Sequence, residues 1–329
     1  MNRFHLLSIV LIFRISAQAQ EPRPIVLGEG PHRYAWSLDW PRFEADFALG
    51  NTHGCIVVDH QGRIYVNTDT EHSVCIFEAN GKLVGTWGKA FKGGLHGMTL
   101  VKEGDEEFLY LAHTGRHEVL KTTLGGEVIW SLGYPKESGH YEDENAFRPT
   151  AVAVAPNGDF YVADGYGRSW IHHYRKDRSY VRSFGGPGKE PGQLQTPHGI
   201  FCDQRGDTPV LIVADRENHR LQRFSVEGKH LSVHEGHLRR PCNVYPVGKD
   251  LAVADLAGRV TILDEKLDLV THLGDQPDVA LRARNGVPRD RWKNGEFLAP
   301  HSVAADRDGH LYVMDWNALG RVTKLVRLP

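Results

Sequence analysis

The feature that most restricts this chain is a unit that recurs along it. Each copy has an apolar alternating strand, a turn usually carrying Gly, and a second strand ending in Asp or a substitute. It reads CIVVDHQGRIYVNT from Cys55, HGMTLVKEGDEEFLYLAH from His96 and TAVAVAPNGDFYVAD from Thr150. It returns as HGIFCDQRGDTPVLIVAD from His198, CNVYPVGKDLAVAD from Cys242 and HSVAADRDGHLYVMD from His301. A third strand follows each time, and most units add a fourth, such as KLVGTWG, EVIWSLG and YVRSFGG. Alternation at period two around Gly-bearing turns is the pattern of antiparallel hairpins. Helical spacing is sustained nowhere.

Repeats of this length with four strands each predict an all-β fold, a six-bladed β-propeller. The unit resembles the NHL repeat. A sandwich of unrelated hairpins would not explain the register that all the copies share. The last copy stops at Pro329 after three strands, so its fourth is expected from the N-terminal segment near Tyr34–Leu38. Such closure removes the free sheet edges that invite aggregation. The expected organisation is a secretory signal peptide over 1–19, a closing segment over 20–53 and the propeller over 54–329. The signal reading rests on Arg3, the apolar run Leu6–Phe13 and the small-residue pattern Ala17-Gln18-Ala19. That run is too short to span a bilayer, and no later stretch reaches transmembrane length. The expected address is secreted or periplasmic. A net charge of −2 without a basic block argues against nucleic acid as a partner. Cys55, Cys75, Cys202 and Cys242 contain no C-x-x-C pair, which leaves buried thiols or disulfides open.

In a propeller the first strand of every blade lines the channel, and residues at its start collect at one mouth. The start positions are Cys55 or its neighbours, His96, Thr150, His198, Cys242 and His301. The histidines occupy alternate units, so His96, His198 and His301 should converge on the axis at mutual angles of roughly 120°. Three imidazoles on one face of a cation leave a position open, the design of a catalytic zinc site. Folding does not require them. Tyr166 and Arg216, just after two of the V-x-D strands, are expected at the same mouth. A phenol beside a divalent cation can serve as a base, and an arginine fork suits a carboxylate. Arg216 also fits an ion-pair cluster with its neighbours, and Tyr166 a packed aromatic. The V-x-D aspartates are read as structural, and His172, His173, His230, His234 and His237 as solvent-facing.

The strings FYVADGYGRS, PGQLQTPHGI and VADRENHRLQRF, in this order, resemble peptidyl-α-hydroxyglycine α-amidating lyase, with likeness from about Gly54 to Leu325. The resemblance implies a six-bladed propeller with Zn2+ on His96, His198 and His301. It also implies an active-site Tyr166 and a substrate-binding Arg216. The implied reaction cleaves a carbinolamide C–N bond, giving an amide and glyoxylate, on a peptide or small carbinolamide that a separate monooxygenase supplies. Three positions depart from the family. No Arg stands near Thr68–Asp69, Gly167 replaces a cysteine, and Ser302 replaces an aspartate that helps build a structural Ca2+ site. Two other readings remain in view: a non-catalytic NHL propeller binding a protein or glycan, and a metal-dependent hydrolase of the gluconolactonase kind. Axial ligands separate them, since three His favour the lyase and carboxylates the hydrolase.

Overall fold

A computed structural model describes residues 23–44 and 46–329; the expected signal peptide over 1–19 lies outside them. Six antiparallel sheets are arranged in chain order. The inner strands of blades one to six are Ile56–Val58, Leu95–Glu103, Ala151–Val154, Pro197–Asp203, Pro241–Val247 and Pro300–Ala305. Neighbouring inner strands pack around the channel, and the sixth packs on the first. The expected propeller is the observed one. Regular helix among the described residues is limited to short 3-10 turns.

Closure is made as the sequence implies. Tyr34–Trp36 pairs antiparallel with the last strand, Arg321–Arg327, through Ala35↔Val326 and Trp36↔Leu325. Val26–Leu27 then adds a fifth strand outside it. The core lies between blades, as apolar layers built from facing sheets. Tyr161 and Phe184 of blade three meet Leu211, Val213 and Phe224 of blade four. Tyr34 and Trp36 join Ile262 and Leu273 of blade five to Val313 and Leu325 of blade six.

The V-x-D aspartates each secure the loop leading into their own blade's inner strand. Asp164 accepts the Arg148 N–H, Asp215 that of Gln195, Asp255 those of Arg239 and Arg240, and Asp315 those of Leu298 and Ala299. These buried carboxylates satisfy backbone donors that water cannot reach, and so fix where each inner strand begins. The four cysteines are free thiols. His172 and His173 correct the expectation of solvent-facing rings, because both are buried. His172 bonds the Tyr141 hydroxyl and Ser183, and His173 faces Asp159. Their strand is third in its sheet, where the face between blades is dry.

Candidate metal centre

The entrance residues are aimed at the axis by a common backbone device. In blade two Leu95 pairs with His113 and Gly97 with Ala112, so His96 is an extra residue, a β-bulge. His198, Cys242 and His301 are extra in the same way in blades four, five and six. A bulge turns one side chain out of the strand's alternation, here toward the channel. The three imidazole rings come together with centroids 4.5 to 5.0 Å apart, and all three are buried.

Each ring is oriented by the blade that follows. His96 Nδ1 lies 2.8 Å from the Thr150 carbonyl, His198 Nδ1 3.0 Å from that of Cys242, and His301 Nδ1 2.7 Å from that of Gly54. A carbonyl only accepts, so each Nδ1 carries the proton. Burial pushes all three pKa values well below the ordinary histidine range, helped by neighbouring imidazoles and Arg216. The rings are therefore neutral, and each Nε2 presents a bare lone pair.

Tyr166 and Arg216 stand at the same mouth. The Tyr166 hydroxyl oxygen is 3.3 Å from His96 Nε2 and 3.0 Å from His198 Nε2. The guanidinium of Arg216 donates from Nη1 to that oxygen at 3.3 Å and from Nε to Glu217 at 2.9 Å. Glu217 is also paired with Arg240. Both bland readings are thus partly right, since Arg216 does pair with Glu217 and Tyr166 does pack among rings. Burial pushes the Tyr166 phenol up, and the Arg216 cation pulls it the other way.

One phenol proton serves two Nε2 lone pairs, those of His96 and His198, and His301 Nε2, buried, has no hydrogen-bond partner. An orphaned buried acceptor costs about 1–3 kcal/mol. A pocket rich in lone pairs and poor in donors is what a cation would satisfy, so the residues present fit a bound metal. At this mouth donor atoms within 4.8 Å of one another form two triads, His53/His96/His301 and His198/Cys242/His301, so the expected set of His96, His198 and His301 is divided between them, with His301 in both.

His53 and Cys242 were missed in the sequence as donors. His53 precedes the first inner strand by three residues and reaches the axis from a loop, its ring 4.9 Å from His96 and 5.1 Å from His301. The N-T-H-G-C string was the available signal. Near Thr68–Asp69, the Asp69 carboxylate accepts from Asn51 and lies 3.5 Å from His53 Nδ1. Ser302 Oγ, at the aspartate position of the implied Ca2+ site, accepts the Ile56 N–H at 3.2 Å. A cavity of about 650 Å³ lies in the channel beyond the ring, lined by Met98, Leu100, Ile200, Phe201, Val244 and Tyr245 among others. No ring histidine lines it.

An NHL repeat is matched over residues 148–174. The chain is 29% identical to a Caenorhabditis elegans protein described as "probable peptidyl-alpha-hydroxyglycine alpha-amidating lyase", over 73% of this chain and 66% of that one. It is 28% identical to the peptidylglycine alpha-amidating monooxygenase of Rattus norvegicus, over 67% of this chain and 22% of that one. The chain thus spans just under two thirds of the first protein and less than a quarter of the second. Among solved structures, a streptogramin B lyase superposes with a TM-score of 0.61 at 12% identity, over 86% of this chain and 95% of that one. No helix among the described residues is long and apolar enough to cross a membrane. The chain is an NHL-repeat propeller related, at low identity, to the peptidylglycine-amidating lyases, and it shares its fold with streptogramin B lyase.

Proposed function

We propose that this chain is a metal-dependent lyase that cleaves the carbinolamide C–N bond of a peptidyl-α-hydroxyglycine or related carbinolamide, releasing an amide and glyoxylate. One observation carries the reading: the Tyr166 oxygen is set against two bare imidazole nitrogens and an arginine fork. Similarity to amidating lyases at 28–29% identity supports it. His96, His198 and His301 would hold the cation, with Zn2+ the best match to imidazole donors. When bound, it supplies Lewis-acid polarisation of the substrate hydroxyl.

The protein groups do the rest. Arg216 holds the substrate carboxylate with a fork whose Nε is pinned by Glu217. With a cation at the ring and Arg216 opposing the upward push of burial, Tyr166 would serve as the base that takes the hydroxyl proton. As that O–H bond breaks, its electrons form the carbonyl of glyoxylate. The C–N bond breaks with its pair going to nitrogen, and Tyr166 returns a proton there to give the amide. No water is consumed and no electrons are exchanged. Hydroxylation at a glycine α-carbon, the work of a separate monooxygenase, would supply the substrate.

The test is glyoxylate release from a hydroxyglycine-terminated peptide, with His198→Ala as background. Release well above that background is expected. None above it would leave a non-catalytic propeller, binding a protein or glycan, as the better account. Wild-type protein that retains no stoichiometric metal after mild purification would also sink the lyase.

A further inference from the structure

Of the blades whose inner strand does not start on a histidine, blade five differs from the other two. In blade three the Thr150 hydroxyl is turned onto backbone, donating to the Ala163 and Pro197 carbonyls. In blade one the Cys55 sulfur belongs to neither donor triad. The Cys242 sulfur instead joins the donor cluster, within 4.8 Å of the ligand nitrogens of His198 and His301. It is brought there by the same bulge that aims the histidines, since Pro241 pairs with Asp255 and Asn243 with Ala254. Cys242 is 1% exposed, His198 3% and His301 2%. A second observation points independently to a ligand: the buried His301 Nε2, unpartnered, belongs to this same triad.

We propose that Cys242 is a sulfur ligand of the cation held by His198 and His301, so that the centre carries a mixed nitrogen and sulfur donor set. The inference rests on the reading of the ring as a metal site, and it deepens that reading by naming the class of ion. A thiolate favours zinc and other borderline or soft ions over calcium or magnesium. It also offsets one of the cation's two charges in a dry site, where unpaired charge is expensive. The step is a ligand exchange without redox chemistry. The Cys242 S–H bond gives its proton to solvent as the sulfur–metal bond forms, so binding releases a proton.

The experiment uses the full chain, stripped of metal and titrated with Co2+ alone. The expected result is one Co2+ per chain with a near-ultraviolet sulfur-to-cobalt charge-transfer band. Cys242→Ser should abolish that band and keep the visible ligand-field bands. Co2+ bound without the band, or a band that survives in Cys242→Ser, overturns the sulfur ligand and leaves the metal site standing. No Co2+ bound by the wild type overturns both. Should Cys242→Ser fail to fold, X-ray absorption of the wild-type zinc form decides. One sulfur at about 2.3 Å supports the proposal, and a shell of nitrogen and oxygen alone overturns it.

Discussion

At the scale of single residues, the mouth separates groups that hold from groups that react. His301 has its Nδ1 on the Gly54 carbonyl and its Nε2 unpartnered, so its contribution is a lone pair. His301→Ala should remove stoichiometric metal while leaving the circular dichroism of the sheets unchanged; metal content equal to wild type would refute the role. Tyr166 contributes through its hydroxyl, which touches His96, His198 and Arg216 at once. Tyr166→Phe keeps the ring and its packing. It should retain metal and lower glyoxylate turnover by about 10²–10⁴, the usual worth of a positioned acid or base. A variant within a few-fold of wild type would take the base role away from this phenol. These residues were legible because nothing about a propeller strand requires them. His53 was not, since its place on the axis depends on a loop path that strand alternation does not encode.

Among elements, the device that aims the histidines has a steric condition. A Cβ on Gly97 would lie 2.5 Å from the Thr150 carbonyl oxygen and 2.8 Å from Ala151 Cα. A Cβ on Gly199 would lie 2.3 Å from the Cys242 carbonyl oxygen. Those two oxygens are the acceptors that orient His96 and His198. Each glycine therefore allows the next blade close enough to bond the imidazole beside it. Gly97→Ala and Gly199→Ala should weaken metal binding by about 10- to 100-fold with every ligand still present, as loss of a ligand's outer partner does. Calorimetric titration with Zn2+ would measure it, and unchanged affinity would refute the steric account. The H-G dipeptides were visible in the sequence, and so was their two-blade spacing. The carbonyls they serve were not, because contacts between blades have no local signature. For the same reason His172 looked solvent-facing although it is sealed between sheets, and Cys242 read as a buried thiol or half of a disulfide although its sulfur lies in the donor cluster.

For the whole molecule, two terms set how the wheel holds together. The first is acid sensitivity. Burial lowers His172 to about 3 and His113 to about 4 from 6.5, so both fold neutral and take up protons on unfolding. Their contribution is complete above pH 6.5 and is lost as pH falls toward those lowered values. Asp164 acts in the opposite sense, because burial raises it from 3.8 to about 6, so its contribution is lost as pH rises through that value. Burial raises Asp315 in the same sense, but the lowered histidines, with the three of the ring added to His172 and His113, outweigh the two carboxylates. Denaturant melts should therefore show stability falling by on the order of a few kcal/mol between about pH 7 and about pH 4.5. A flat or rising profile would contradict this. The second term is closure. Tyr34 is fully buried in the layer that joins blades five and six, and its strand covers the free edge of Arg321–Arg327. His32, next but one, reaches Asp250 of blade five at 2.7 Å, so the segment grips two blades. Tyr34→Ala removes a large side chain from a packed layer, at a cost of about 3–5 kcal/mol by analogy with other buried aromatics. Because each blade is stabilised by its neighbours, that loss should lower the single unfolding transition of the whole ring and expose a strand edge that aggregates on heating. Phe184→Ala, between blades three and four, is the comparison, since it makes a cavity without opening an edge. If both variants lose similar stability but only Tyr34→Ala aggregates, the N-terminal strand acts as the clasp; if neither aggregates, the ring holds without it.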